Sequence, residues 1–333
     1  GTLTIQSDGS GTSVGNAAVN VDNGGGILTV GGLSVVAGGP VDAATGNRRG
    51  GNAAVSITSG GRVQTSALQV SAASTGAIGA SGAGGTGTGG TAGLTISDAG
   101  SQLVAGTVSL DASGFGGGLS TNASGVTSAA DASGNGQGGT ALLTIGNAGS
   151  LITSAGIDVS AYGFGEIGNV QSGSGTGGTA RVSINGTPGL TSTAFLTINA
   201  AGFGGGISQR SPSEIYSARG GSGRGGTADL LITGGAYSGL NLGDVGLNAA
   251  ASGGGAGNSE NTIGGNAAGG TINVTIDGGA TPFISNLSLN SRADSGGSTS
   301  PTGLTALSGN AQGGSINVTA RGGSALQVGG NAT

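Results

Sequence analysis

Seven Gly-Gly pairs, beginning at residues 50, 89, 138, 177, 225, 269 and 313, are each followed by an alternation of apolar and polar positions. Counted from the first glycine, the residues three, five and seven places on are apolar in every copy. They read Ala53, Val55, Ile57, then Ala92, Leu94, Ile96, and so on to Ile316, Val318, Ala320. Strict period two predicts a strand with one buried face. The position between the second and third apolar residues is Ser56, Thr95, Thr144, Ser183, Thr275 or Thr319, with Leu231 the exception. A degenerate earlier copy starts near Gly15, as Asn16-Ala17-Ala18-Val19-Asn20-Val21.

Each strand runs into a turn rich in Gly, Asp and Asn, such as Ser59-Gly60-Gly61, Asp98-Ala99-Gly100 or Asp277-Gly278-Gly279. Such residues supply the positive φ of a sharp corner. A short second strand is predicted around Val63, Leu103, Leu151, Leu190, Leu240 or Phe283. A third follows, as in Leu68-Val70, Val108-Leu110 and Ile157-Val159. Phe115, Phe164 and Phe203 each lie 26 residues after their Gly-Gly start, so this part of the repeat has fixed length. The remainder of each period varies in length and is mostly Gly, Ser, Ala, Asn and Thr. It is either an excursion from one corner or a second coil, and its lack of sustained alternation favours the excursion.

A fixed core with a variable insertion is the pattern of a solenoid. One such coil cannot bury its apolar face alone, whereas stacked coils bury it in a continuous column. Strands recurring once per period in the same direction must pair in parallel. The expectation is an all-β parallel β-helix, right-handed like other parallel crossovers, with Gly-rich excursions from one corner of each coil. Residues 1–333 read as a single continuous solenoid segment, part of a longer chain or fibre. One coil per period gives about eight coils and a rod of about 40 Å. The C-terminal Ser324-Ala325-Leu326-Gln327-Val328 echoes Ser66-Ala67-Leu68-Gln69-Val70.

Composition narrows the function. Glycine supplies 82 of 333 residues, a level that invites disorder, but the net charge of −5 is low for a disordered chain. There is no Lys, His, Cys, Met or Trp. The usual proton shuttles, Schiff-base chemistry, thiolate nucleophiles and Cys/His metal sites are therefore not expected. Nine Arg against fourteen acids give no basic footprint for nucleic acid. No apolar run reaches the length of a membrane helix.

The series Gly-Gly-Thr-Ala-x-Leu-Thr-Ile, Gly-Ser-x-Leu, Val-Ser-Leu-Asp-Ala-Ser-Gly-Phe-Gly-Gly-Gly over residues 89–118 resembles the repeats of bacterial filamentous-haemagglutinin-like and autotransporter-passenger β-solenoids. The resemblance covers essentially the whole chain. It implies export to the extracellular space or the Gram-negative cell surface, and a role in adhesion, aggregation or biofilm. On this reading the protein is a non-enzymatic structural or adhesive rod. It would associate with itself end to end or laterally into fibres, and would be able to contact host or cell-surface glycans.

Three other chemistries fit parts of the sequence. Asp111 and Asp158, taken as equivalent positions in consecutive copies, would be the carboxylate pair of a carbohydrate-degrading or carbohydrate-binding β-helix such as a phage tailspike. Asp98, Asp277, Asn147 and Asn185 lie at the first corner, where calcium could bind, although turn formation explains them as well. The Ser/Thr row could be an ice-binding face, but the neighbouring outward row (Ala54, Gly93, Leu142, Arg181, Asp229, Asn273, Asn317) is irregular. The recurrent phenylalanines would either stack or line a saccharide groove. The Asn-x-Ser/Thr triplets at Asn122, Asn185, Asn273, Asn286, Asn317 and Asn331 are expected by chance in this composition. No catalytic, cofactor or metal residue is assigned.

Overall fold

The computed structural model describes the chain except residues 11–12, 23–25, 122–126, 130–131, 147, 187–188, 192–193, 208–217, 235–239, 257–261 and 299–305. The described residues form a parallel β-helix. The alternating segments after the Gly-Gly pairs make an eight-stranded parallel ladder, from Asn16–Val21 through Asn52–Ile57, Thr91–Ser97 and Thr140–Gly146 to Ser315–Ala320. Consecutive strands belong to consecutive periods, so there is one coil per period. Eight strands at a spacing of about 4.8 Å give a rod about 34 Å long.

Like stacks on like in this entry ladder. Ala92, Leu94 and Ile96 face Ala53, Val55 and Ile57 on one side and Ala141, Leu143 and Ile145 on the other. All nine are buried. The opposite wall is a long ladder through Gly32–Gly38, Arg62–Ser71, Gln102–Asp111 and Ser150–Ser160, again parallel. Leu103, Val108 and Leu110 point inward from it against the entry strands. Burying each such aliphatic side chain contributes about 1.5–3 kcal/mol, which is why a glycine-rich, sparsely charged sequence still has a core.

The expected second and third strands are therefore one strand in these coils. The long strand carries a register shift between Ala105 and Thr107 where it meets the next coil, and this irregularity hides its continuity in the alternation. Two periods later the two parts separate into Gly189–Thr191 and Phe195–Asn199. The C-terminal echo is not a structural equivalence. Val70 belongs to the second half of its strand, but Val328 lies opposite Ile284, in the first half. The position equivalent to Leu68 in the last full coil is Leu287, and it faces Ala332.

The first corner uses positive φ as expected, at Ser59 (52°), Asp98 (74°), Gly278 (70°) and Gly279 (84°). Asn147 lies outside the described residues.

The Gly-rich excursions have ordered arms. Each leaves the long strand through a two-residue strand, such as Gly114–Phe115, and returns through another, such as Gly136–Gln137. These stack into parallel ladders of six and seven strands. Beyond them the outgoing and returning arms alternate along the rod. The amides of Gly117, Gly134, Glu166, Gly173, Gly205 and Gly221 donate in turn to the carbonyls of Gly85, Gly117, Gly134, Glu166, Gly173 and Gly205, at 2.7–3.2 Å. A Cβ on Gly173 would stand 1.7 Å from the Gly134 carbonyl oxygen. The glycine richness is thus the condition for backbone-on-backbone packing, a second core without side chains.

Candidate functional site

Two solvent faces run along the rod, and neither resembles a closed active site. The first lies where the returning arm enters the entry ladder. The Gly-Gly pairs form the floor of a groove of about 550 Å³. One wall is a column of Thr140, Thr179, Thr227 and Thr271, stacked in register, which Thr91 continues beyond the groove. The other wall carries Thr88, Gln137, Thr176 and Arg224. This threonine column was legible as the residue after the Gly-Gly pair in five of the seven copies, with Asn52 and Ser315 in the other two. The recognised row, from Ser56 to Thr319, runs parallel to it four residues further on and is also in register. Between the two rows, Leu142 pairs with Arg181 and Arg181 with Asp229. Asn273 donates to Asp229 at 2.7 Å and Asn317 to Asn273 at 2.9 Å. A bulky, partly charged column thus divides the hydroxyl rows, and two of the Asn-x-Ser/Thr asparagines are members of it.

The second face follows the corner between the long ladder and the outgoing arms. Here Phe115, Phe164 and Phe203 lie in register on consecutive coils. The Phe164 and Phe203 ring centroids are 6.2 Å apart, and Phe115 meets the edge of Tyr162 at 5.4 Å. All four rings are half-buried. The aromatic ladder is therefore real, and Tyr162 extends it. Nothing in the repeat marked Tyr162, since its column otherwise holds Ser113, Ala201, Ala250 and Arg292 and carries no recurring aromatic.

Asp111 and Asp158 do not stack on one another. Asp158 faces Ser109, and Asp111 faces Ser160. They are two residues apart when counted from their own Gly-Gly starts, so the expected pairing of equivalent positions is wrong. Asp111 belongs to a capping column. Its Oδ1 accepts the Ser113 amide at 2.9 Å, as Asn199 accepts that of Ala201, Asn248 that of Ala250 and Asn290 that of Arg292. Such Asx turns let the chain bend out of the strand. In the intervening coil Ser160 donates instead to Asp158, at 2.5 Å.

Burial pushes the Asp158 carboxyl above the usual carboxylate range. The Ser160 hydroxyl opposes this shift, and the negative charge of Asp111 adds to it. Burial likewise raises the Tyr162 phenol, with Asp111 and Asp158 adding to the effect. For Asp158 the folded value exceeds the unfolded one, so the native state holds the extra proton between them. Stability is therefore greatest below that window and falls as pH climbs through it. Asp158→Thr, the residue type found at the equivalent Thr197, is expected to stabilise the protein at pH 7 and to remove this slope. Urea melts at pH 3–7 test this, and a variant that is less stable at pH 7 would contradict it.

At the first corner, Asp277 is tied to Arg321 of the next coil at 2.8 Å. The Asp98 carboxylate accepts the Ser59 amide at 3.3 Å, and Thr233 donates to Asn185 at 2.5 Å. These groups serve the turn and its stacking. Among the described residues no three acids gather as a metal-binding group, and no helix is long and apolar enough to cross a membrane.

The fold and its faces define a class, the parallel β-helix with glycine-packed arms. No family model matches the chain, and neither a curated protein nor a solved structure shows significant similarity to it.

Proposed function

We propose that the protein is a non-enzymatic extracellular structural or adhesive element, one stretch of a stiff β-solenoid rod or filament at a bacterial surface or in a biofilm matrix. The observation that carries this reading is the in-register parallel stacking of every coil, which joins the coils through main-chain hydrogen bonds along the rod axis. Ile316 and Val318 of the last entry strand are 45% and 50% exposed, although their counterparts Ile272 and Val274 are fully buried. A coil of a second copy stacked there would cover them and extend the ladder. Low charge supports lateral association, because little electrostatic repulsion opposes it.

Electron micrographs of native material are expected to show long thin fibres. X-ray diffraction from oriented fibres is expected to show a meridional reflection near 4.8 Å. Discrete trimeric spikes, or activity in a polysaccharide-degradation screen, would point to the tailspike class instead. Thermal hysteresis would point to ice binding.

A further inference from the structure

The corner that carries Phe115, Tyr162, Phe164 and Phe203 also carries two carboxylates, Asp111 and Asp158. We infer that this strip is a binding site for an organic cation, an alkylated ammonium group of the quaternary-amine type. The inference does not rest on the rod reading, because it concerns three adjacent coils and holds whether or not rods assemble.

Three observations combine. Four aromatic rings lie side by side on an outer face, and each ring face carries the negative end of its quadrupole. The rings are only partly covered, so a ligand of apolar surface gains by contact with them. The charges acting on Asp158 and Tyr162 are all negative, from Asp111 on Asp158 and from both carboxylates on Tyr162. A neutral ligand would cover the rings and leave that repulsion in place. A cation with an apolar shell answers both features, since it meets ring faces within about 6 Å and neutralises the adjacent carboxylates. Sodium meets only the charge, and a sugar meets chiefly the rings.

The repeat supplies variants that keep the fold. Asn caps the Asp111 corner in three other coils. Ser109 and Thr197 occupy the Asp158 column. The phenylalanine column continues as Thr75 and Ser252. Asp111→Asn with Asp158→Thr therefore removes the charge, and Phe164→Ser removes a ring, each with a residue type the column already holds.

The full chain is titrated with tetramethylammonium chloride, with sodium chloride at equal ionic strength, with neopentyl alcohol as the neutral isostere, and with cellobiose. Aromatic ring signals are followed by NMR; the chain has five Phe and three Tyr. Tetramethylammonium is expected to cause saturable shifts that sodium does not. Neopentyl alcohol is expected to bind about tenfold more weakly, and each variant to lose about tenfold in affinity for the cation. Unchanged circular dichroism shows that the variants fold. Equal binding of the neutral alcohol would overturn the inference, as would cellobiose shifting the rings while the cation does not. So would cation affinity that survives removal of both carboxylates, or the absence of any saturable shift.

Discussion

Gly139→Val is expected to prevent folding of the coils around it, while Gly93→Thr leaves the fold intact and stabilises it. A Cβ at Gly139 would stand 2.1 Å from the Gly90 carbonyl oxygen and 2.5 Å from two atoms of Gly89. All are backbone atoms of the neighbouring coil, held in place by the ladder, so nothing flexible can yield. Its partner Gly138 is as confined, 2.0 Å from the Ala161 carbonyl oxygen. Even alanine at 139 should cost about 3 kcal/mol or more, at the upper end of overpacking penalties. Gly139 lies just before an entry strand, and Gly93 lies within one. It points outward from the same ladder, and its Cβ would meet nothing within 4 Å. There a β-branched residue recovers about 0.5–1 kcal/mol of the backbone entropy that glycine loses in a strand. Urea unfolding of the two variants beside the parent tests the contrast. Equal tolerance at both sites would mean that adjacent coils do not approach as closely as described.

A second contrast tests the stacking itself. Ile145 is completely buried, in register between Ile96 and Ile184. Ile145→Ala should cost about 2–5 kcal/mol, the usual range for a large-to-small core change. Ile316, an inward-facing residue of the last entry strand that stacks on the fully buried Ile272, is 45% exposed. Ile316→Ala should cost less than about 1 kcal/mol in the isolated chain, as surface changes do. Hydrogen exchange of the main-chain amides measures both, coil by coil, since a solenoid's stability is a sum of local and nearest-neighbour contributions. If fibres form by covering this coil, the penalty at 316 should rise toward that at 145 in assembled material. Equal penalties in dilute monomer would contradict the layered arrangement.

The legible part of this fold was whatever each coil repeats with the same count. Ala, Leu or Val, and Ile at fixed offsets from the Gly-Gly pairs gave the entry ladder and its inward face, and the constant offset of 26 gave the aromatic ladder. Features that depend on contacts between coils were harder to see. The shift near Ala105 broke the alternation and made one strand look like two. The excursions looked loose because their order comes from main-chain bonds between glycines, which leave no side-chain pattern. Asp111 and Asp158 seemed equivalent because each follows an apolar residue, Leu110 or Ile157, near the end of a strand. Counting from the Gly-Gly starts sets them two residues apart, and the register shows that one caps a corner while the other faces Ser109. Tyr162 gave no periodic signal, since it occurs once.

The like-on-like register has a genetic consequence. Joining Gly89 directly to Gly139 would delete one complete layer and bring Val55 against Leu143, a contact chemically similar to the ones lost. Unequal recombination between repeats can therefore shorten or lengthen the molecule in whole layers, while out-of-phase exchanges break the alternation and are discarded. Natural isolates should accordingly differ in reach by integral numbers of coils, with the variable arm tips drifting freely in length.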